Sequence, residues 1–229
     1  MPIKAVVFDL DGTLAEFNVD YKTVRAEVMQ FLINHGLPGS IFSISESIFE
    51  MLKKTEVYMR NNGRNAQQFA SIRKHALSVA LKYELKAANE TTLLPGVVDV
   101  LRTLRNKDLK LAIFTINAEK SANLILERFR LKPFFNVVIT REAVSKVKPD
   151  PAHLTAALKA LDVNPEETVV IGDGVADMKS AKALGAHAIG LITDGYGGKN
   201  LNSAGATHTI KSLTEVPILI EELQQRPTV

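Results

Sequence analysis

Ile3-Lys4-Ala5-Val6-Val7-Phe8-Asp9-Leu10-Asp11-Gly12-Thr13 is a short apolar run that ends abruptly in two carboxylates and a glycine. A continuous run of β-favouring residues this short predicts a strand buried on both faces, as in a parallel sheet. Residues two apart in an extended chain point to the same side, so Asp9 and Asp11 can face one pocket, and Gly12 permits the sharp turn that follows. In open parallel sheets ligands bind beyond the carboxyl ends of the strands, which is where this run delivers its charges.

Working outward, similar runs recur at Leu109 to Phe114, Val137 to Thr140, Thr168 to Ile171 and His187 to Ile192, with helical patterns between them. Val97, Val100, Leu101 and Leu104 repeat at helical spacing, as do Ala122, Leu126 and Phe129. Asp150 before Pro151 reads as an N-cap with proline in the first helical position, leading a helix through Leu154, Leu158 and Leu161 that Asn164-Pro165 ends. This alternation predicts an α/β fold with a doubly wound, Rossmann-like parallel sheet. The exception is the stretch from about Glu16 to Glu90, with three helical patterns, Lys22 to Asn34, Ile41 to Asn61 and Ala66 to Ala88, and no convincing strand. We therefore expect a core of residues 1–15 and 91–229 and a helical cap inserted at 16–90, with hinges near Ala15 to Asp20 and Asn89 to Leu94. Val28, Phe31, Leu32, Phe49, Leu52, Phe69, Leu77 and Leu81 would form the cap's own small core.

Composition narrows the chemistry. There is no cysteine, so disulfides, thiolate catalysis and thiolate-ligated metals are excluded. The 28 Lys and Arg exceed the 25 Asp and Glu by only three, an excess too small to point to nucleic acid. No apolar run approaches the roughly 20 residues needed to span a bilayer, and the first residues lack a secretory pattern; a soluble cytoplasmic protein is expected, monomeric or homodimeric.

The strand ends converge chemically. The second delivers Thr115, with Ile116 and Asn117 after it; the third leads to Lys148; the fourth delivers Gly172-Asp173, with Asp177 one helical turn on. Asp9, Asp11, Asp173 and Asp177 make an oxygen-rich set suited to a partly hydrated Mg²⁺. Lys148 and Thr115 supply a fixed charge and a hydroxyl suited to phosphoryl oxygens. Any one of the acids could be an ordinary turn or cap residue; no structural need concentrates all of them on one edge.

The combination resembles the haloacid dehalogenase superfamily, with a pattern like its phosphoglycolate-phosphatase-like members. Asp9-Leu10-Asp11-Gly12-Thr13 resembles the first motif, Phe114-Thr115 the second, Lys148-Pro149-Asp150-Pro151 the third, and Gly172-Asp173-Gly174-Val175-Ala176-Asp177 the fourth. The resemblance implies a Mg²⁺-dependent phosphatase acting on a small phosphorylated metabolite. It makes Asp9 the nucleophile and Asp11 the acid and base. Asp9, the Asp11 carbonyl and Asp173 would hold the metal, Thr115, Ile116, Asn117 and Lys148 the phosphoryl group, with Gly12 and Asp177 in support. Two departures stand out: Ile116 intervenes before Asn117, and Gly174 occupies a place where Ser or Thr is common.

The rivals are a phospho-accepting receiver module, a phosphomutase and a non-catalytic regulatory protein of the same fold. Strand order argues against the first, Thr13 against the second, and the complete set of acids against the third. His35, His75, His153, His187 and His208 have no ligand spacing and are expected at or near the surface without a role. Gly195 to Lys199 lacks the P-loop pattern and is expected to be a surface loop.

Overall fold

The computed structural model describes residues 2–16, 19–193 and 198–225. The elements run in the order β1 (Ala5–Phe8), β2 (Ala15–Glu16), α1 (Tyr21–Asn34), α2 (Ile48–Asn61), α3 (Ala66–Glu90), β3 (Thr92–Leu93), α4 (Val97–Asn106), β4 (Lys110–Phe114) and α5 (Glu119–Arg128). They continue with β5 (Val137–Ile139), α6 (Pro151–Leu161), β6 (Thr168–Gly172), α7 (Val175–Leu184), β7 (His187–Leu191), α8 (Gly198–Ala204), β8 (His208–Ile210) and α9 (Val216–Gln225). Two compact units result: Met1–Phe17 with Glu90–Val229, and Asn18–Asn89.

In the first unit six strands pair in parallel, in the order β5-β4-β1-β6-β7-β8. All four residues of β1 are fully buried, as expected of a strand covered on both faces. Ala5 and Val7 join a cluster with Leu154, Ala157 and Leu158 of α6, Met178 and Ala181 of α7, and Leu201 of α8. Val6 and Phe8 alternate to the other face, where Phe8 meets the edge of Phe135 with ring centroids 6.3 Å apart. The order reverses around β1: the chain runs outward through β4 and β5, then returns to the other side of β1 as β6. That switch opens the crevice at the end of β1.

β8 was not among the expected strands. Its three residues are too short to show a period, and only Ile210 is buried. α6 stops at Leu161, because Asp162 takes a left-handed conformation (φ 51°) as its C-cap, three residues before Pro165. β2 and β3 pair antiparallel, Ala15 with Leu93 and Glu16 with Thr92, where the chain leaves and re-enters this unit. The Thr91 hydroxyl donates to the Glu16 carbonyl beside this pair. Positions 17 and 18 of the expected hinge, and 195–197 of the expected surface loop, lie outside the described residues; the last two residues of that loop, Gly198 and Lys199, instead open α8.

The second unit is helical. Val24, Val28, Leu32, Met51, Leu52, Met59, Ile72, Ala76 and Ala80 form its core. Phe31, Phe69 and Leu77, expected inside, are partly buried and pack against that core, and Phe49 and Leu81 are half-buried. The middle helix begins at Ile48 rather than Ile41. Ser47 and Glu50 form a reciprocal capping box, and the Ser45 N–H donates to the Ser43 hydroxyl. These serine oxygens satisfy the preceding backbone outside a helix, and the box sets where the helix starts.

Candidate active site

Asp9 follows β1 directly, and its N–H donates to the Ile171 carbonyl of β6 at 2.8 Å, so the parallel ladder carries it into the crevice. Its Oδ1 accepts from the Leu10 N–H at 2.7 Å and lies 2.6 Å from the Lys148 ammonium, which fixes the rotation of the carboxylate. Lys148 is almost fully buried. Its Nζ also donates to Asp177 Oδ1 at 2.6 Å and to the Phe114 carbonyl at 3.2 Å, and sits 4.5 Å from the Phe114 ring centre. Asp177, in the first turn of α7, uses Oδ2 to accept from the Gly174 N–H at 3.0 Å. Both of its oxygens are thus engaged, one holding Lys148 and the other closing the helix N-terminus.

Two glycines allow these approaches. Gly12 has φ +72°, and a Cβ there would lie 2.3 Å from Asp173 Oδ2. A Cβ on Gly172 would lie 2.4 Å from the Asp177 carboxyl carbon. Both distances are well inside contact, so any side chain would push a carboxylate out of the crevice.

The electrostatics are one-sided. Asp9, Asp173 and Asp177 each offer an oxygen within 4.8 Å of the others. Burial pushes the Asp9 carboxyl up to about 7, with Lys148 opposing and Asp177 and Asp173 adding to the rise. Burial, then Asp177, pushes Asp173 up to about 6. Burial also works against the charge on Lys148, but Asp177 and Asp9 more than offset it and hold its pKa above the ordinary lysine value. One ammonium faces two buried carboxylates and the half-buried Asp173, an imbalance that a hard divalent cation with oxygen preference would relieve. The donor set fits Mg²⁺.

The loop from β4 into α5 forms the opposite wall. Thr115 is fully buried; its N–H donates to the Ile139 carbonyl at 2.9 Å and its Oγ1 accepts from the Asn117 N–H at 3.2 Å. Asn117 turns its side chain to Asp11, with Nδ2 donating to Oδ1 at 2.9 Å. Ile116 is half-buried, and its carbonyl accepts from Arg141 Nη1 at 3.2 Å. The structure therefore brings Asp9, Asp11, Gly12, Thr115, Ile116, Asn117, Lys148, Asp173 and Asp177 to one sheet edge. Thr13, buried behind them, has its hydroxyl 3.5 Å from Asp173 Oδ1.

Two residues went unrecognised in the sequence. His153 is fully buried rather than near the surface. Its Nδ1 accepts from the Lys148 N–H at 3.3 Å and its Nε2 donates to the Ile139 carbonyl at 3.2 Å, tying the lysine loop to the end of β5. Burial, then the Lys148 charge, pushes its pKa down to about 4 and keeps it neutral. Its place one turn before Ala157, beside Leu154, marks it as inward-facing on an amphipathic helix. Arg141, just past β5 and only 3% exposed, has no such signal, because the Ile116 carbonyl that its guanidinium meets belongs to a loop distant in sequence.

The profile of the haloacid dehalogenase-like hydrolases matches residues 3–185. A phosphoglycolate phosphatase of Nitrosospira multiformis is 27% identical over 224 residues, covering 97% of each chain. Pyrophosphatase PpaX of Halalkalibacterium halodurans is 29% identical over 189 residues, 81% of each. A hydrolase from Pseudomonas syringae has the same fold, with a TM-score of 0.66 at 26% identity, covering 96% of this chain and 98% of that one.

Proposed function

As the chain belongs to the haloacid dehalogenase-like hydrolases, we propose that it is a Mg²⁺-dependent phosphatase that hydrolyses a small phosphate monoester through an aspartyl-phosphate on Asp9. Kinship along nearly its whole length with phosphoglycolate phosphatases makes it a phosphoric monoester hydrolase. The observation that carries the mechanism is the carboxylate of Asp9, held by Lys148 at the end of the central strand with an Asp173 oxygen within 4.8 Å, and Asp11 two residues on with its own carboxylate held by Asn117. Phosphoglycolate is the lead substrate, since several relatives carry that name.

The residues divide the work. Asp9 attacks phosphorus and becomes an acyl phosphate as the bond to the substrate alcohol breaks; the departing alkoxide takes a proton from Asp11. Asp11, now ionised, accepts a proton from water as that water attacks phosphorus, releasing inorganic phosphate and restoring the Asp9 carboxylate. Thr115, the loop N–H groups and Lys148 orient the phosphoryl oxygens and balance their charge. Asp9, the Asp11 carbonyl and Asp173 would hold Mg²⁺, which supplies Lewis-acid charge neutralisation between two anions. Asp177 keeps Lys148 in place. The helical insertion at 18–89 acts as the cap that selects the substrate.

The test is a panel of small phosphate esters and pyrophosphate, with Mg²⁺ and with excess chelator, together with Asp11→Asn. This variant keeps the main-chain carbonyl but exchanges no proton. With p-nitrophenyl phosphate, whose leaving group departs unprotonated, it should give a burst of nitrophenol and one phosphoryl group on the Asp9 peptide. Full turnover in chelator, or the phosphoryl group on another residue, would refute the proposal.

A further inference from the structure

Asn117 is 1% exposed, and three of its polar groups are engaged: its N–H donates to Thr115 Oγ1 at 3.2 Å, its main-chain carbonyl accepts from the Arg141 N–H at 3.3 Å, and Nδ2 donates to Asp11 Oδ1 at 2.9 Å. The loop that carries it is clamped from the end of β5. Arg141 Nη1 holds the Ile116 carbonyl at 3.2 Å, and Glu142 accepts from the Glu119 N–H at 3.0 Å, filling the cap position that Ala118 leaves without a side-chain acceptor. A buried amide on so constrained a backbone has little freedom to turn elsewhere. Asp11, by contrast, is half-buried on the turn after β1, where an unsupported carboxylate would sample several rotamers.

We infer that Asn117 is a positioning residue for the proton-transfer group, acting on Asp11 rather than on the phosphoryl oxygens. Donation into Oδ1 reserves that oxygen as an acceptor, because a proton there would face the amide N–H head-on. The transferable proton is therefore carried on Oδ2, and the carboxyl is held in one rotamer while it gives that proton to the leaving oxygen and later takes one from water. The contribution is geometric: a general acid works only within hydrogen-bond reach of the oxygen it protonates. The inference rests on the reading of Asp11 as acid and base.

Leaving-group dependence separates this role from a structural or phosphate-binding one. kcat/KM reports the steps through phosphorylation of Asp9, which needs the acid for an alkyl ester but not for p-nitrophenyl phosphate. In Asn117→Ala, kcat/KM for an alkyl phosphate should fall about 10- to 100-fold, and that for p-nitrophenyl phosphate by less than about threefold. Inhibition by inorganic phosphate should stay within about twofold of wild type. Asn117→Ser, smaller but polar, should show the same pattern if the alanine variant folds poorly. Equal losses on both esters, weakened phosphate inhibition, or unfolding of both variants would overturn the inference. If the wild type itself released no phosphate from any ester, the proposed function would fall with it; turnover by the wild type with equal losses in the variants would sink the inference alone.

Discussion

Replacing His153 by Phe should narrow the stability gap to wild type as the pH falls. Phe keeps a ring against Phe114, whose centre lies 5.6 Å from the imidazole, but it cannot accept from the Lys148 N–H or donate to the Ile139 carbonyl. The buried Lys148 N–H then loses its acceptor, at about 1–3 kcal/mol, while the Ile139 carbonyl keeps the Thr115 N–H, so the variant should be less stable at pH 7.5. Acid acts on the wild type alone. His153 is held neutral in the fold down to about 4, while the unfolded chain takes up the proton near the ordinary 6.5. Between those values the unfolded state binds more protons, so His153's contribution is fully present above 6.5 and is lost as the pH falls toward 4. Each pH unit in that window is worth about 1.4 kcal/mol, so about 2–3 kcal/mol disappears by pH 4.5. Asp9 and Asp173, with raised pKa values, titrate in the opposite sense, and the comparison with the variant cancels them. Urea unfolding in divalent-free buffers between pH 7.5 and 4.5 measures the gap directly. A gap constant to within about 0.5 kcal/mol would show that His153 is not a buried neutral pillar of the lysine loop.

Mg²⁺ should raise the melting temperature more at pH 8 than at pH 5, because protons compete for Asp9 below about 7 and for Asp173 below about 6; a shift independent of pH would contradict this. Asp173→Asn should lose most of that Mg²⁺-induced shift along with activity, as seen by calorimetry and phosphate release. Lys148→Ala should destabilise the metal-free protein by about 3–5 kcal/mol by leaving Asp9 and Asp177 without their shared cation, while retaining the Mg²⁺ response; loss of that response would contradict the division of roles. Gly12→Ala should abolish the Mg²⁺ response in the same melting assay, since its Cβ would fall 2.3 Å from Asp173 Oδ2; a normal response would mean that the turn relaxes freely.

The sequence by itself determined the parallel core and the composition of its working edge. Buried strands are continuous apolar runs, and their carboxyl ends carry a dense set of acids, lysine and threonine, so periodicity and position were enough to find Asp9, Thr115, Lys148 and Asp173. An unread cap misplaced one helix start: Asp150-Pro151 was read and placed α6, but Ser47 with Glu50 was not, which displaced the start of α2 by seven residues. The partnerships inside the site were decided by the tertiary structure alone. Lys148 is 139 residues from Asp9 in the chain and 2.6 Å away in space, and Asn117 is 106 residues from Asp11 yet within hydrogen-bond reach. Local sequence reports which face of an element is buried, because that follows from its own period. Which distant group meets a buried polar atom depends on strand order and register, properties of the whole sheet that no single stretch encodes.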